Sequence, residues 1–140
     1  MRPVPAGTYT LLVRVPEPLT VTFGAAGDRE LAAGWAAYSG CAFGPGGLDR
    51  VDRHHEIATG ERETRHWHVD HLLGQAATRL VTSWTTPERR IECEVHRALP
   101  GRQVDVGASD CTCGGHLRHH EDRGVLEQAL DEVHELDHRA

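Results

Sequence analysis

GTYTLLVRV, residues 7–15, places Tyr9, Leu11, Val13 and Val15 at every second position. Such strict alternation is the period of a pleated strand, whose successive side chains point to opposite faces. Pro16-Glu17-Pro18 then turns the chain, and LTVTFG (19–24) alternates again through Leu19, Val21 and Phe23. Two alternating segments across a short turn predict a hairpin. AAGDRELAAG (25–34) reads as a loop or short connector, and WAAYSG (35–40) as a third strand ending in glycine. FGPGG (43–47) is a turn.

Beyond that turn the period changes. A helix is predicted from about Leu48, with Leu48, Val51, His55 and Ala58 on one side. TGERETR (59–65) is a polar connector, and HWHVDHLL (66–73) fits a strand or a helix. AATRLVTSWT (76–85) reads as a strand. TPERRIECEVHRAL (86–99) is the clearest helix, with Thr86 as its cap, Pro87 at the tolerated first position, and an apolar stripe of Ile91, Val95, Ala98 and Leu99. PGRQVDVGASD (100–110) supplies a turn, a short strand and a loop. From Asp122 to His138, the residues Val125, Leu126, Ala129, Val133 and Leu136 predict an amphipathic helix. The order β-β-β-α-…-β-α-β-α indicates a small α/β (α+β) domain, a mostly antiparallel central sheet flanked by helices.

Composition bounds what such a domain does. At 140 residues the chain has the length of one domain with a real core. No apolar run approaches the ~20 residues that a membrane span needs, and MRPVPAGTYT lacks the apolar stretch of a signal peptide. A soluble, cytoplasmic protein without a membrane partner is the expectation. All 15 basic residues are arginine, and the net charge of -6 argues against indiscriminate affinity for a phosphate backbone. Residues 121–140 carry much of the acidity, with seven carboxylates against Arg123 and Arg139. Residues 1–120 are expected to form the functional domain, and 121–140 an acidic helix packed on it or extending it. That helix could also recruit a protein partner.

Several side chains carry chemistry. On a helix, Arg50 and His54 stand one turn apart on one face. Tyr38 lies just before the glycine-rich turn, so a guanidinium and a phenol flank a place where phosphate could bind. The plain alternative is a strand, a turn and a solvated helix. If the strands carrying Tyr9 and Tyr38 pair, two phenols meet at the sheet as Arg50 arrives from the following helix. Glu92 sits at the border of the later helix's apolar stripe. Two tyrosines, an arginine and a glutamate suffice for metal-assisted phosphodiester hydrolysis.

The ordered set Gly7-Thr8-Tyr9, Tyr38-Ser39-Gly40, Arg50, His54 and Glu92 resembles the GIY-YIG nuclease superfamily. With HWHVD (66–70) and SDCTC (109–113) it is similar to the Uri-type endonuclease branch, over about residues 5 to 120. The resemblance implies a divalent-metal-dependent endonuclease acting on DNA or structured nucleic acid. Glu92 would bind Mg²⁺ (or Mn²⁺), and Arg50 would offer its donors to the phosphate. Tyr9 would position or deprotonate the attacking water, Tyr38 would hydrogen-bond in the site, and His54 would help position water or phosphate. Thr8 stands where this family usually has Ile, Ser39 where it has a bulky apolar residue, and Cys41 where it has Ser. The join Gly47-Leu48-Asp49-Arg50 is one residue shorter than the family's. Arg53 is the competing arginine and a substrate-binding candidate.

Two further clusters complete the reading. Cys111, Cys113 and His116 are close enough to share an ion, and Cys93 could complete a structural Zn²⁺ site; packed thiols are the other reading. His66, His68 and Asp70 suit substrate contact or a structural pair beside Trp67, with metal ligation as the alternative. His119, His120, His134 and His138 are expected at the surface. The alternative to the nuclease is a non-catalytic nucleic-acid-binding or zinc-binding module that keeps the fold.

Overall fold

The computed structural model describes residues 6–22, 27–42, 47–58, 72–73, 78–104 and 117–139. Among these, the side chains of Cys41, Arg50, Arg53, 56–58, Glu92, Cys93 and 135–139 are not described. The strands are β1 (Gly7–Val15), β2 (Leu19–Thr22), β3 (Asp28–Leu31), β4 (Gly34–Ala42), β5 (Arg79–Pro87), β6 (Arg102–Val104) and β7 (Leu117–His120). Among the described residues the helices that join them are α1 (Asp49–Ala58), α2 (Glu92–Ala98) and α3 (Arg123–Arg139), and Leu72 and Leu73 are also helical. Five strands form one sheet in the order β5-β1-β4-β7-β6, every pair antiparallel. A separate ribbon pairs β2 with β3.

β1 explains the architecture. Its Tyr9, Leu11, Val13 and Val15 are buried on one face, as the alternation predicts, but Thr8, Thr10 and Leu12 are equally buried on the other. A strand covered on both faces needs a layer on each side. The first face is covered by α1, by Leu72 and Leu73, and by the ribbon through Val21 and Leu31. The second is covered by α2 and α3 through Ile91, Val95, Leu99, Leu126 and Leu130 against Leu12 and Ala37. Burying a leucine such as Leu12 or Leu130 contributes about 1.5–3 kcal/mol.

Two sequence expectations are corrected here. β1 and β2 do not make a hairpin, because both edges of β1 are taken, by β4 and by β5. The segment 16–18 instead lifts β2 out of the sheet to pair with β3, in a stretch that reads as a connector. β3 hides from sequence because only one of its four residues, Leu31, is buried.

The second correction concerns α2. Its helix does not start at Thr86-Pro87; β5 runs through Pro87 and α2 begins at Glu92. Thr86 pairs with Thr8 in the ladder, and its hydroxyl is engaged by His134 at 2.8 Å instead of capping a helix. Proline is tolerated at that point because β5 is the edge of the sheet. Glu88 takes a left-handed φ of 63° and turns the chain towards α2.

α3 is capped by Asp122, whose Oδ1 accepts the amides of Gly124 (2.9 Å) and Val125 (3.3 Å). Its buried row is Leu126, Leu130 and His134, spaced four apart, whereas Val125 is 40% exposed. The predicted stripe is therefore rotated towards Leu130. Asp122→Ala removes the acceptor for two amides at the helix start and is expected to cost about 1 kcal/mol, read as a lower denaturant midpoint at unchanged slope. Among the described residues no helix is long and apolar enough to cross a membrane.

Candidate functional site

The features of interest gather at the Gly7 end of β1. Tyr9 and Gly40 face each other across the β1–β4 ladder, and Tyr38 lies two residues from Gly40 on the same face. The missing side chain of Gly40 makes room for the phenol. A Cβ there would lie 2.7 Å from Tyr9 Oη and 2.8 Å from its Cζ. The tyrosine rings are 6.4 Å apart and tilted by 40°.

α1 supplies the third group. Gly47 adopts φ 51° just before the helix, and the Val51 amide donates to the Leu48 carbonyl at 3.0 Å. Val51 and His54, three residues apart, are both buried on its inner face. His54 Nε2 meets Tyr9 Oη at 3.1 Å, with the rings 5.4 Å apart. His55, on the predicted stripe, instead reaches Ser83 Oγ of β5 at 3.2 Å. Tyr9 and His54 are 1% and 0% exposed, and Tyr38 is half-buried.

On the other face, Thr8 holds the approach to α2. Its hydroxyl donates to the Arg89 carbonyl at 2.6 Å and accepts the Ile91 amide at 2.9 Å. The Glu88 amide donates to the Ala6 carbonyl at 2.7 Å. These three bonds hold the backbone that leads into α2 beside Ala6 and Thr8, on the sheet face opposite the Tyr9 phenol.

Of the sequence-derived residues, the structure brings together the side chains of Tyr9, Tyr38 and His54. Arg50 and Arg53 stand on α1, one turn and one residue before His54, and Glu92 and Cys93 open α2; their side chains are not among those described. His66, His68, Asp70, Cys111, Cys113 and His116 lie outside the described residues. Among the described residues, no three or more His, Cys, Asp or Glu side chains come together to hold a metal ion.

Two histidines expected at the surface are buried. His134 bridges hydroxyls from two strands, Thr10 at 2.9 Å from Nε2 and Thr86 at 2.8 Å from Nδ1, and Thr10 continues to Ser39 at 3.2 Å. It is buried because the Leu126–Leu130 row carries position 134 onto the sheet. His119 alternates with Leu117 towards the first face and bonds the Ala32 carbonyl at 2.8 Å through Nε2. An open pocket of about 600 Å³ lies beside it, lined by Leu19, Leu31, Glu30 and Arg102 among others. Sequence offered one signal for His134, its spacing of four from Leu130.

A family model described as "Domain of unknown function DUF123" matches residues 8–138, from the residue before Tyr9 almost to the end of α3. No curated protein and no solved structure matches the chain.

Proposed function

This chain belongs to the family described as domain of unknown function DUF123, and we propose that it is a divalent-metal-dependent endonuclease hydrolysing phosphodiester bonds in DNA or structured nucleic acid. The observation that carries the reading is the bond between Tyr9 Oη and His54 Nε2, made at the strand end that Gly40 leaves open to a phenol. The order of Tyr9, Tyr38, Arg50, His54 and Glu92, which resembles the GIY-YIG superfamily, adds to it.

A phenol with a reference pKa of about 10 is a poor base at neutral pH, and an imidazole near 6.5 is a good one. With the ring proton of His54 on Nδ1, the phenol of Tyr9 donates to Nε2. As water attacks phosphorus, its proton passes to Tyr9 Oη and the Tyr9 proton passes to His54 Nε2. Arg50, one turn before His54, directs its donors to the phosphate oxygens as negative charge builds. Tyr38, half-buried with its ring 6.4 Å from that of Tyr9, would hydrogen-bond in the same site.

The donor set fits a hydrated Mg²⁺, which takes one or two carboxylates and keeps several waters. Glu92 opens α2 and would supply one carboxylate to the ion. Mg²⁺ bound there would stabilise charge on the scissile phosphate and its leaving oxygen.

The burial of Tyr9 and His54 favours a second reading, a nucleic-acid-binding module in which the pair is a packing contact. Zinc held by Cys93, Cys111, Cys113 and His116 would belong to that reading as a structural ion. Tyr9→Phe separates the two. In the nuclease it lowers cleavage roughly 10²-fold or more while nucleic-acid affinity holds. A wild type that binds without cleaving, with affinity unchanged by the substitution, supports the module.

A further inference from the structure

The sheet face that α2 and α3 cover carries, at the Val15 end of β1, a row of side chains that the proposed reaction does not use. The registers place Arg79 of β5 opposite Arg14 of β1, Arg14 opposite Trp35 of β4, and Trp35 opposite His120 of β7. Residues directly opposite one another share a face, so the four cross the sheet in one line of about 14 Å. α3 adds a further guanidinium: that of Arg123 lies 5.1 Å from the Trp35 ring centroid, and that of Arg14 lies 6.0 Å from it. Arg14, Arg79 and Arg123 are exposed, and Trp35 and His120 are half-buried.

Like charges directly opposite on a ladder are destabilising. Among the described residues no carboxylate pairs with Arg14 or Arg79. On α3, Glu127 is paired with Arg123 and Asp122 caps the helix, while Glu121 follows His120 at the end of the row away from Arg79. Two adjacent guanidiniums without a counter-charge, in a chain of net charge -6, suit the forked recognition of phosphate. The half-buried indole in the same line, with guanidiniums layered on it, offers a surface on which a base can stack.

We propose that this row holds a single-stranded segment of nucleic acid, with Arg14 and Arg79 on phosphates and a base stacked on the Trp35–arginine layer. The inference deepens the nucleic-acid reading above and rests on it for its partner. Arg14 lies five residues from Tyr9 along β1, about 17 Å, and on the other face of the sheet, so the row meets the strand away from the bond being cut. Arg79 stands on the edge strand β5, around which a flexible strand can pass from one face to the other.

The test is binding of the full chain to a labelled, mixed-sequence DNA single strand in EDTA, over a range of salt, for the wild type and the double variant Arg14→Gln, Arg79→Gln. Each phosphate contact on a single strand contributes about 0.7 to the slope of log affinity against log salt. The double variant is therefore expected to lose about 1.4 of that slope and to bind roughly tenfold more weakly near physiological salt. It also relieves a like-charge pair, so its denaturant midpoint without nucleic acid is expected to rise. A midpoint that falls assigns the pair to the fold and overturns the inference. Wild-type affinity and slope in the variant overturn it too, and leave the nuclease reading standing. Equal weakening on the corresponding duplex, or displacement of the strand by inorganic phosphate at constant ionic strength, overturns the single-strand assignment. The expected loss of slope, in a protein that cleaves nothing in Mg²⁺, upholds this inference and overturns the nuclease reading.

Discussion

Gly40→Ala is expected to lower stability by about 3 kcal/mol, near the upper end for overpacking, and to cut cleavage roughly 10²-fold or more. The added methyl would sit 2.7 Å from Tyr9 Oη, 2.8 Å from Tyr9 Cζ and 3.2 Å from Tyr38 Cε1. The Tyr9 ring cannot swing away cheaply. Tyr9 is held by His54 Nε2 and buried among core side chains, and β4 is pinned on both edges by β1 and β7. Relief must come from displacing the Tyr9 phenol, which breaks its bond to His54. The check is a denaturant midpoint alongside a cleavage rate measured well below that midpoint. A stable variant with wild-type turnover would contradict the role given to the Tyr9–Gly40 pair.

The larger effect falls on Glu92 and Arg50. Glu92→Ala removes the carboxylate that would hold Mg²⁺, and Arg50→Ala removes the guanidinium that would meet the phosphate. Each is expected to reduce cleavage by about 10³-fold or more, equivalent to roughly 4 kcal/mol of transition-state stabilisation. Their signatures differ. Glu92→Ala also abolishes the response to added Mg²⁺, whereas Arg50→Ala keeps it. Arg50→Lys gives little rescue, because an ammonium does not reproduce the planar two-point fork of an arginine. Arg53→Ala is the matched control, three residues further along α1. An Arg53→Ala loss exceeding that of Arg50→Ala would move the phosphate contact by almost a turn of the helix.

The legible and illegible parts of this chain divide along the range of the interactions involved. Alternation within GTYTLLVRV reveals β1, but sequence leaves the pairing that brings Tyr9 towards Tyr38 as a condition only and favours a β1–β2 hairpin that the structure replaces. The contact of His54 with Tyr9 was legible only as membership of one cluster, since nothing in sequence fixes how far α1 rolls. The start of α2 was not legible at all. Thr86-Pro87 has the local form of a helix cap, but the hydroxyl of Thr86 goes to His134, 48 residues away, and the amide of Ile91 to Thr8, 83 residues away. Local rules cannot weigh bonds at that separation. β3 was lost because a ribbon lying over a core needs only one buried residue. His134 was misread because a histidine amid carboxylates looks solvated until the Leu126–Leu130 row shows which face is down.

The most direct measurement of the central claim uses the purified full chain with end-labelled branched, nicked and single-stranded DNA, with and without Mg²⁺. The account predicts discrete cleavage products on at least one of these substrates that require Mg²⁺ and disappear in Glu92→Ala. Binding without cleavage of any of them, in Mg²⁺ or Mn²⁺, would contradict it.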